Sequence, residues 1–294
     1  MVSLFFLLPI GILATSTASI LIKLCDAPAL IIAAYRMGFA SLMLIPWATH
    51  RRVWNEWDGT QLRWCSLSGL FLGLHFAFWI GSLKFTSVAS SVVLVSTNPI
   101  FVGIGSWLFL RERPNLNLIL GILFSVLGSA LISFGDMAIS RETLIGDGLA
   151  LLGAIMASAY FLVGRKMRKA QNLLAYILPV YTTAGLVLIL LSVLSEKSFH
   201  GYSSSTYLIL FLLALIPQLI GHTTYNWALK YLPASMVAIT TLGEPVGSTI
   251  LAYLILGEQL TLLKVAGGIS IFIGILIAVK KKTVPEMKGK DENR

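Results

Sequence analysis

Glu244 is the side chain in this sequence with the largest chemical consequence, because it interrupts the apolar run Thr240-Thr-Leu-Gly-Glu-Pro-Val-Gly-Ser248. An ionised carboxylate at the centre of a bilayer costs about 2.5–3.5 kcal/mol on insertion scales, so it needs a proton, water or a partner. Thr240, Glu244 and Ser248 are four residues apart and share one helix face. That spacing predicts a polar stripe turned toward the interior of a helix bundle. Two uses of the carboxylate stay open. It carries a proton or binds a substrate amine, or it hydrogen-bonds a neighbouring helix and holds a kink. Pro245 supplies the kink, since it lacks an N–H and frees the carbonyl of Thr241.

The other charged group at comparable depth is Arg36, nine residues into the run 28–47. It lines a pathway, or it snorkels and pairs with a neighbour, for which Glu244 is the acidic residue at similar depth. Gln218, His222 and Asn226 recur at helical spacing, with Tyr225 and Trp227 beside them. A second polar side is Ser68, His75, Trp79 and Ser82. A histidine shuttles protons near neutral pH, and inside a membrane it also serves as an interhelical hydrogen-bond donor. Trp79, Tyr160, Tyr181 and Tyr225 either line an aromatic cavity or pack helices together. No Walker A loop, His-Glu-x-x-His, Gly-x-Ser-x-Gly or Cys/His cluster occurs, so no catalytic residue, metal site or cofactor is expected.

These residues need elements long enough to hold them at depth. Hydrophobic residues make up 56% of the 294, and charged residues only 12%. The mean hydropathy is +0.84. A soluble domain carries about 25% charged residues, so the chain is expected to be almost entirely membrane-embedded and all-α. Ten spans are predicted, at 3–22, 28–47, 62–83, 87–109, 116–135, 146–164, 172–194, 206–227, 232–256 and 262–279. The first lacks the basic n-region of a secretory signal and is kept as a span. The net charge of +9 does not indicate nucleic acid, because the basic residues lie between apolar runs and in the tail. With a cytoplasmic N-terminus, 16 of the 22 Lys and Arg fall inside, against Lys23, Lys84, Arg141, Lys197 and Lys264 outside. That bias predicts a multi-pass protein of the plasma (bacterial inner) membrane with both termini in the cytoplasm.

The stretch 82–132 repeats without a gap at 228–278, a shift of 146 residues. Leu83, Lys84, Pro99, Glu112, Gly121 and Gly128 fall on Leu229, Lys230, Pro245, Glu258, Gly267 and Gly274. Asn98, before Pro99, falls on Glu244, so the bend repeats and the charge does not. Each repeat holds five spans, an odd number, so the second must be inverted relative to the first about an axis in the membrane plane. The expected units are a five-helix repeat at 1–135, a second at 136–281, and a charged cytoplasmic tail at 282–294. Gly121 with Gly128, and Gly267 with Gly274, predict close helix packing.

The pattern Asn98-Pro-Ile-Phe, Leu110-Arg-Glu-Arg, Gly121, Gly128 and its partner Glu244-Pro-Val, Leu256-Gly-Glu-Gln-Leu-Thr, Gly267, Gly274 resembles the paired EamA domains of the drug/metabolite transporter superfamily. Lys23 and Arg36 match the first-domain pattern as well. In this chain Leu110-Arg-Glu stands where the second repeat has Leu256-Gly-Glu, a change expected to alter only the loop end. The resemblance implies ten helices around a cavity formed by spans one, three, four, six, eight and nine. It also implies secondary transport of a small-molecule substrate, usually export of amino acids or other small metabolites, in a form similar to bacterial aromatic amino-acid exporters. A flippase-like carrier of lipid-linked or nucleotide-linked sugars and an intramembrane lipid enzyme are the alternatives. Expected partners are the substrate and membrane lipids, with the chain a monomer or a homodimer.

Overall fold

With so few charges to face water, the apolar runs must satisfy their backbone groups internally, and they do so as helices. The computed structural model describes residues 2–82, 85, 91, 94–112, 114–133, 141–257 and 260–279, and their side chains except at 2–5, 141–143 and 279. Among these residues all regular structure is helical. The expectations for Lys84, Arg113, Glu258 and the tail 282–294 lie outside the described residues.

In chain order, α1 is Val2–Leu24, α2 Ala29–His50, α3 Gly59–Ser82, α4 Asn98–Leu110 and α5 Leu116–Ser133. They are followed by α6 (Arg141–Arg168), α7 (Leu173–Leu194), α8 (Ser204–Ala228), α9 (Ala234–Leu256) and α10 (Leu262–Val279). Local chemistry marks their ends. Asn172 and Ser203 cap α7 and α8 by accepting from the N–H groups of Leu174 and Thr206. Pro28 and Pro233, in extended conformation, precede α2 and α9. Among the described residues, seven helices are long and apolar enough to cross a membrane. The expected spans four, five and ten contain the shorter apolar helices Asn98–Leu110, Leu116–Ile132 and Leu262–Ala278. Within the expected span four the backbone turns at Ser96 and Thr97, just before the helix that opens on Asn98-Pro99, since Pro99 cannot donate to the ladder. The equivalent break in α9 falls at Leu242, just before Glu244-Pro245. The bend therefore recurs in both halves, as the repeated prolines predicted.

Gly257 ends α9 with φ +69°, and Arg111 ends α4 with φ +56°. The Arg-for-Gly difference between the repeats thus leaves the left-handed turn in place and puts a side chain where glycine is favoured. A feature that periodicity did not predict is the π-helical stretch Ala214–His222 within α8, around Pro217. Such widened turns recur at functional sites, and this one carries Gln218 and His222.

Helices α3, α6 and α7 pack together, as do α2 with α7 and α1 with α8 and α9. A close backbone approach joins α5 to α10. A Cβ at Gly128 would stand 2.6 Å from the Gly267 carbonyl oxygen, and one at Gly121 would stand 2.6 Å from that of Gly274. The pairing is antiparallel and reciprocal. Ser270 Oγ donates to the Phe124 carbonyl at 2.8 Å, across a separation of 146 residues. Ser125 Oγ reaches the Ile271 carbonyl at 3.5 Å, across the same separation.

Candidate functional site

The bend before Pro245 turns the first residues of the second half of α9 toward the bundle centre, where they meet a cavity of about 620 Å³. Glu244 and Pro245 line it from α9, and Asn98 from the matching bend in α4. Arg36 enters from α2, His75 and Trp79 from α3, Tyr160 from α6, and His222 and Tyr225 from α8. Nine residues singled out in the sequence thus line one cavity. Gln218, Asn226 and Pro99 do not line it.

Those three stand behind or beside the wall. Gln218 Oε1 accepts from Arg36 Nε at 2.9 Å and so orients the guanidinium. Asn226 Oδ1 accepts from Tyr160 Oη at 2.7 Å, and its Nδ2 donates to Tyr181 Oη at 3.2 Å. The helical spacing of Gln218, His222 and Asn226 did identify one polar side of α8. That side stands edge-on, so only His222 faces the cavity. Pro99 is buried in α4 beside Asn98.

Arg36 is 1% exposed, and its guanidinium carbon lies 4.4 Å from the ring centroid of Phe76, a cation–π contact. Phe76 also meets the rings of Trp79 and His222, at 6.5 and 5.6 Å. His75 stacks on Trp79 at 5.9 Å and 7°. Its Nδ1 lies 2.9 Å from the carbonyl of Gly153 in α6, and because a carbonyl only accepts, Nδ1 carries the proton. His75 therefore does make an interhelical hydrogen bond. Arg36 and Glu244 interact electrostatically across the cavity, while the hydrogen bond of Arg36 Nε goes to Gln218. Glu244 is half-buried by virtue of the cavity it faces. Its main chain is tied to α1: Ser16 Oγ reaches the Glu244 carbonyl at 3.3 Å, and Ser248 Oγ donates to the Ser16 carbonyl at 3.1 Å.

Several buried polar atoms around this cavity have no hydrogen-bond partner among the described residues: Arg36 Nη1, Trp79 Nε1, Gln218 Nε2, Asn98 Oδ1 and His222 Nδ1. Buried polar groups are seldom left so, and their clustering points to a polar ligand or water in the cavity. Three of them are donors on or beside Arg36 and Trp79. The fully acidic group is Glu244. The cavity lining therefore includes donors at Arg36 and Trp79 and acceptors at Glu244 and Asn98, set among aromatic and aliphatic surface.

Some lining residues were not picked out from the sequence: Thr15, Ser19, Ser96 and Lys264. Thr15 shares a 2.9 Å hydrogen bond with Tyr225 Oη, which fixes that phenol at the wall. The hydroxyl-rich run Thr15-Ser-Thr-Ala-Ser19 was a legible signal of an inward face of α1. Lys264 carried no such signal. Among the described residues no group of three His, Cys, Asp or Glu side chains could hold a metal ion.

Comparison with known proteins bears on this arrangement. The model of the EamA-like transporter family matches the chain twice, at residues 1–134 and 144–280. An uncharacterized transporter of Archaeoglobus fulgidus is 25% identical over 259 residues, covering 85% of this chain and 88% of its own. A second from the same organism is 28% identical over 231 residues, covering 76% and 82%. The uncharacterized transporter YdfC of Bacillus subtilis is 28% identical over 218 residues, covering 72% and 69%. One solved crystal structure superposes with a TM-score of 0.79 at 18% identity, covering 95% of this chain and 97% of its own, so the two share a fold.

Proposed function

The chain belongs to the EamA-like transporter family, and we propose that it is a secondary transporter exporting amino acids or similarly small zwitterions through the cavity lined from α1, α2, α3, α4, α6, α8 and α9. The observation that carries this reading is the placement of Arg36 and Glu244 in one cavity, with the hydrogen bond of Arg36 Nε going to Gln218. A substrate carboxylate fits the donors Arg36 Nη1 and Trp79 Nε1. Its ammonium fits the Glu244 carboxylate and Asn98 Oδ1. The aromatic surface between them suits an apolar side chain. The volume is within the range of about 300–1,000 Å³ usual for small-molecule sites.

Proton coupling follows from the same carboxylate. Glu244 can hold a proton or face an ammonium group, and one excludes the other, so the inward proton gradient drives substrate out. The ten helices form two inverted five-helix repeats in the plasma membrane, with both termini cytoplasmic. The reciprocal antiparallel contact of α5 with α10 supports this, because an in-plane two-fold axis makes residue i of one half meet residue j of the other and the reverse.

Proteoliposomes loaded with a radiolabelled amino-acid panel provide the test. Efflux of one or more amino acids is expected, faster with the outside acid, and sharply reduced for the matching decarboxylated amine and for the N-acetylated acid. No flux of any zwitterion would overturn the proposal.

A further inference from the structure

The two ends of the cavity differ. Its lining runs past Ser19 to Lys23, Leu256 and Lys264, which sit at helix ends, and Lys23 is exposed. At the other end the lining stops at Tyr160, Phe161, His222 and Tyr225. Beyond that floor lies a cluster of charges with no part in the cavity wall. The left-handed turn at Arg111 swings Glu112 back over the end of α4, where its N–H bonds the Ser106 carbonyl at 3.0 Å. Glu112 Oε1 then meets Arg165 Nε at 3.0 Å, in the last turn of α6, and Lys169 Nζ at 3.6 Å, in the turn that follows it. Arg165 Nη1 donates to the carbonyls of Leu229 at 2.8 Å and Lys230 at 3.1 Å, in the turn between α8 and α9. One guanidinium therefore joins three separate segments. Its side chain is 11% exposed and that of Glu112 is 20% exposed. The pair is screened far less than a surface ion pair, and its bonds are charge-assisted.

We infer that Glu112, Arg165 and Lys169 form a latch that closes the cavity at the α4–α6 end. These bonds hold only while that end is closed, so the latch biases the resting protein toward the form open at the Lys23 end. The bias is a differential interaction: the latch bonds exist in one form and must break in the other, so they shift the equilibrium by their own strength. This rests on the transporter reading, in that both ends must open in turn. Inward closure at rest would keep the cytosolic substrate pool from leaking until binding or a proton shifts the balance.

The test is one of access and needs no substrate. A reporter thiol, Ala157→Cys, is placed on the cavity wall in a Cys25→Ser, Cys65→Ala background and reconstituted in vesicles. A membrane-impermeant maleimide is added on one face or the other. Labelling is expected from the Lys23 face. Glu112→Gln should move the ratio of labelling between faces by roughly tenfold toward the other face, the effect of losing charge-assisted hydrogen bonds in one state only. Lys169→Ala, at a half-exposed site that tolerates truncation, should move it the same way by less. Arg165→Lys keeps the charge, loses the fork and should fall between. If Glu112→Gln does not accumulate in the membrane, Lys169→Ala and Arg165→Lys decide the matter. An unchanged ratio in folded variants, or equal labelling of the native protein from both faces, overturns the latch. Flux with an unchanged ratio would sink the latch and leave the transporter reading standing. A shifted ratio without flux of any zwitterion would do the reverse.

Discussion

Replacement of Gly267 by alanine tests the contact that holds α5 to α10. A Cβ at Gly267 would stand 2.5 Å from the Gly128 carbonyl oxygen and 2.8 Å from Ile132 Cγ1. Ordinary contact begins near 3.4 Å, so the helices must part by ~0.9 Å, and a gap of about 0.5–1 Å forfeits a quarter to a half of each dispersion contact it opens. Helix association in lipid depends on such packing, since lipid tails are as apolar as the helix faces. The expected cost is about 1–3 kcal/mol, as for overpacking in other cores. The neighbouring Gly268 is the control, because a Cβ there meets Val246 Cγ1 at 3.6 Å, an ordinary contact. Gly268→Ala should be neutral or gain up to about 1 kcal/mol through helix propensity. Gly128→Ala should resemble Gly267→Ala. The double variant should cost less than the sum, because the first alanine has already opened the gap the second needs. The assay is reversible unfolding in mixed micelles by titration with sodium dodecyl sulfate, followed by tryptophan fluorescence. A Gly267→Ala protein as stable as Gly268→Ala would refute the close-contact account.

Three further outcomes are expected. Glu244→Gln should fold and insert normally, raise the apparent KM for amino acids at least tenfold, and abolish the dependence of efflux on a pH gradient; retained pH-driven flux would remove the carboxylate from coupling. Arg111→Gly should raise stability by roughly 0.5–1 kcal/mol, because an L residue in a left-handed turn costs about 1–2 kcal/mol and glycine returns part of this as chain entropy; the same detergent titration reads it. Burial, with Asp26 adding to it, pushes the Cys25 thiol up to about 11. Its alkylation by maleimide should therefore be slow at neutral pH, rise about tenfold per pH unit toward 11, and quicken in Asp26→Asn.

Much of this protein is legible in the order of its residues. Long apolar runs have to become helices, since a bilayer offers no partner for an open backbone. The shared prolines at 99 and 245 mark the two bends, and the paired glycines mark the helices that touch most closely. Depth within a run also singled out Glu244 and Arg36, because a charge is costly wherever it is far from water. What residue order could not show is which helix faces look at one another. In a soluble protein apolar means inward, but in a membrane an apolar face suits lipid and protein equally, so the pattern loses its directional content. Hence Gln218 and Asn226 shared a stripe with His222 and still ended behind the wall, bonded to Arg36 and Tyr160. Lys264 joined the cavity from a helix whose own sequence ranked it low. The latch of Glu112 on Arg165 is the clearest case. Its members are 53 positions apart in the chain, its third arm is two backbone carbonyls, and carbonyls have no signature in a sequence. Only the packing of α4, α6 and the α8–α9 turn brings them within hydrogen-bond distance.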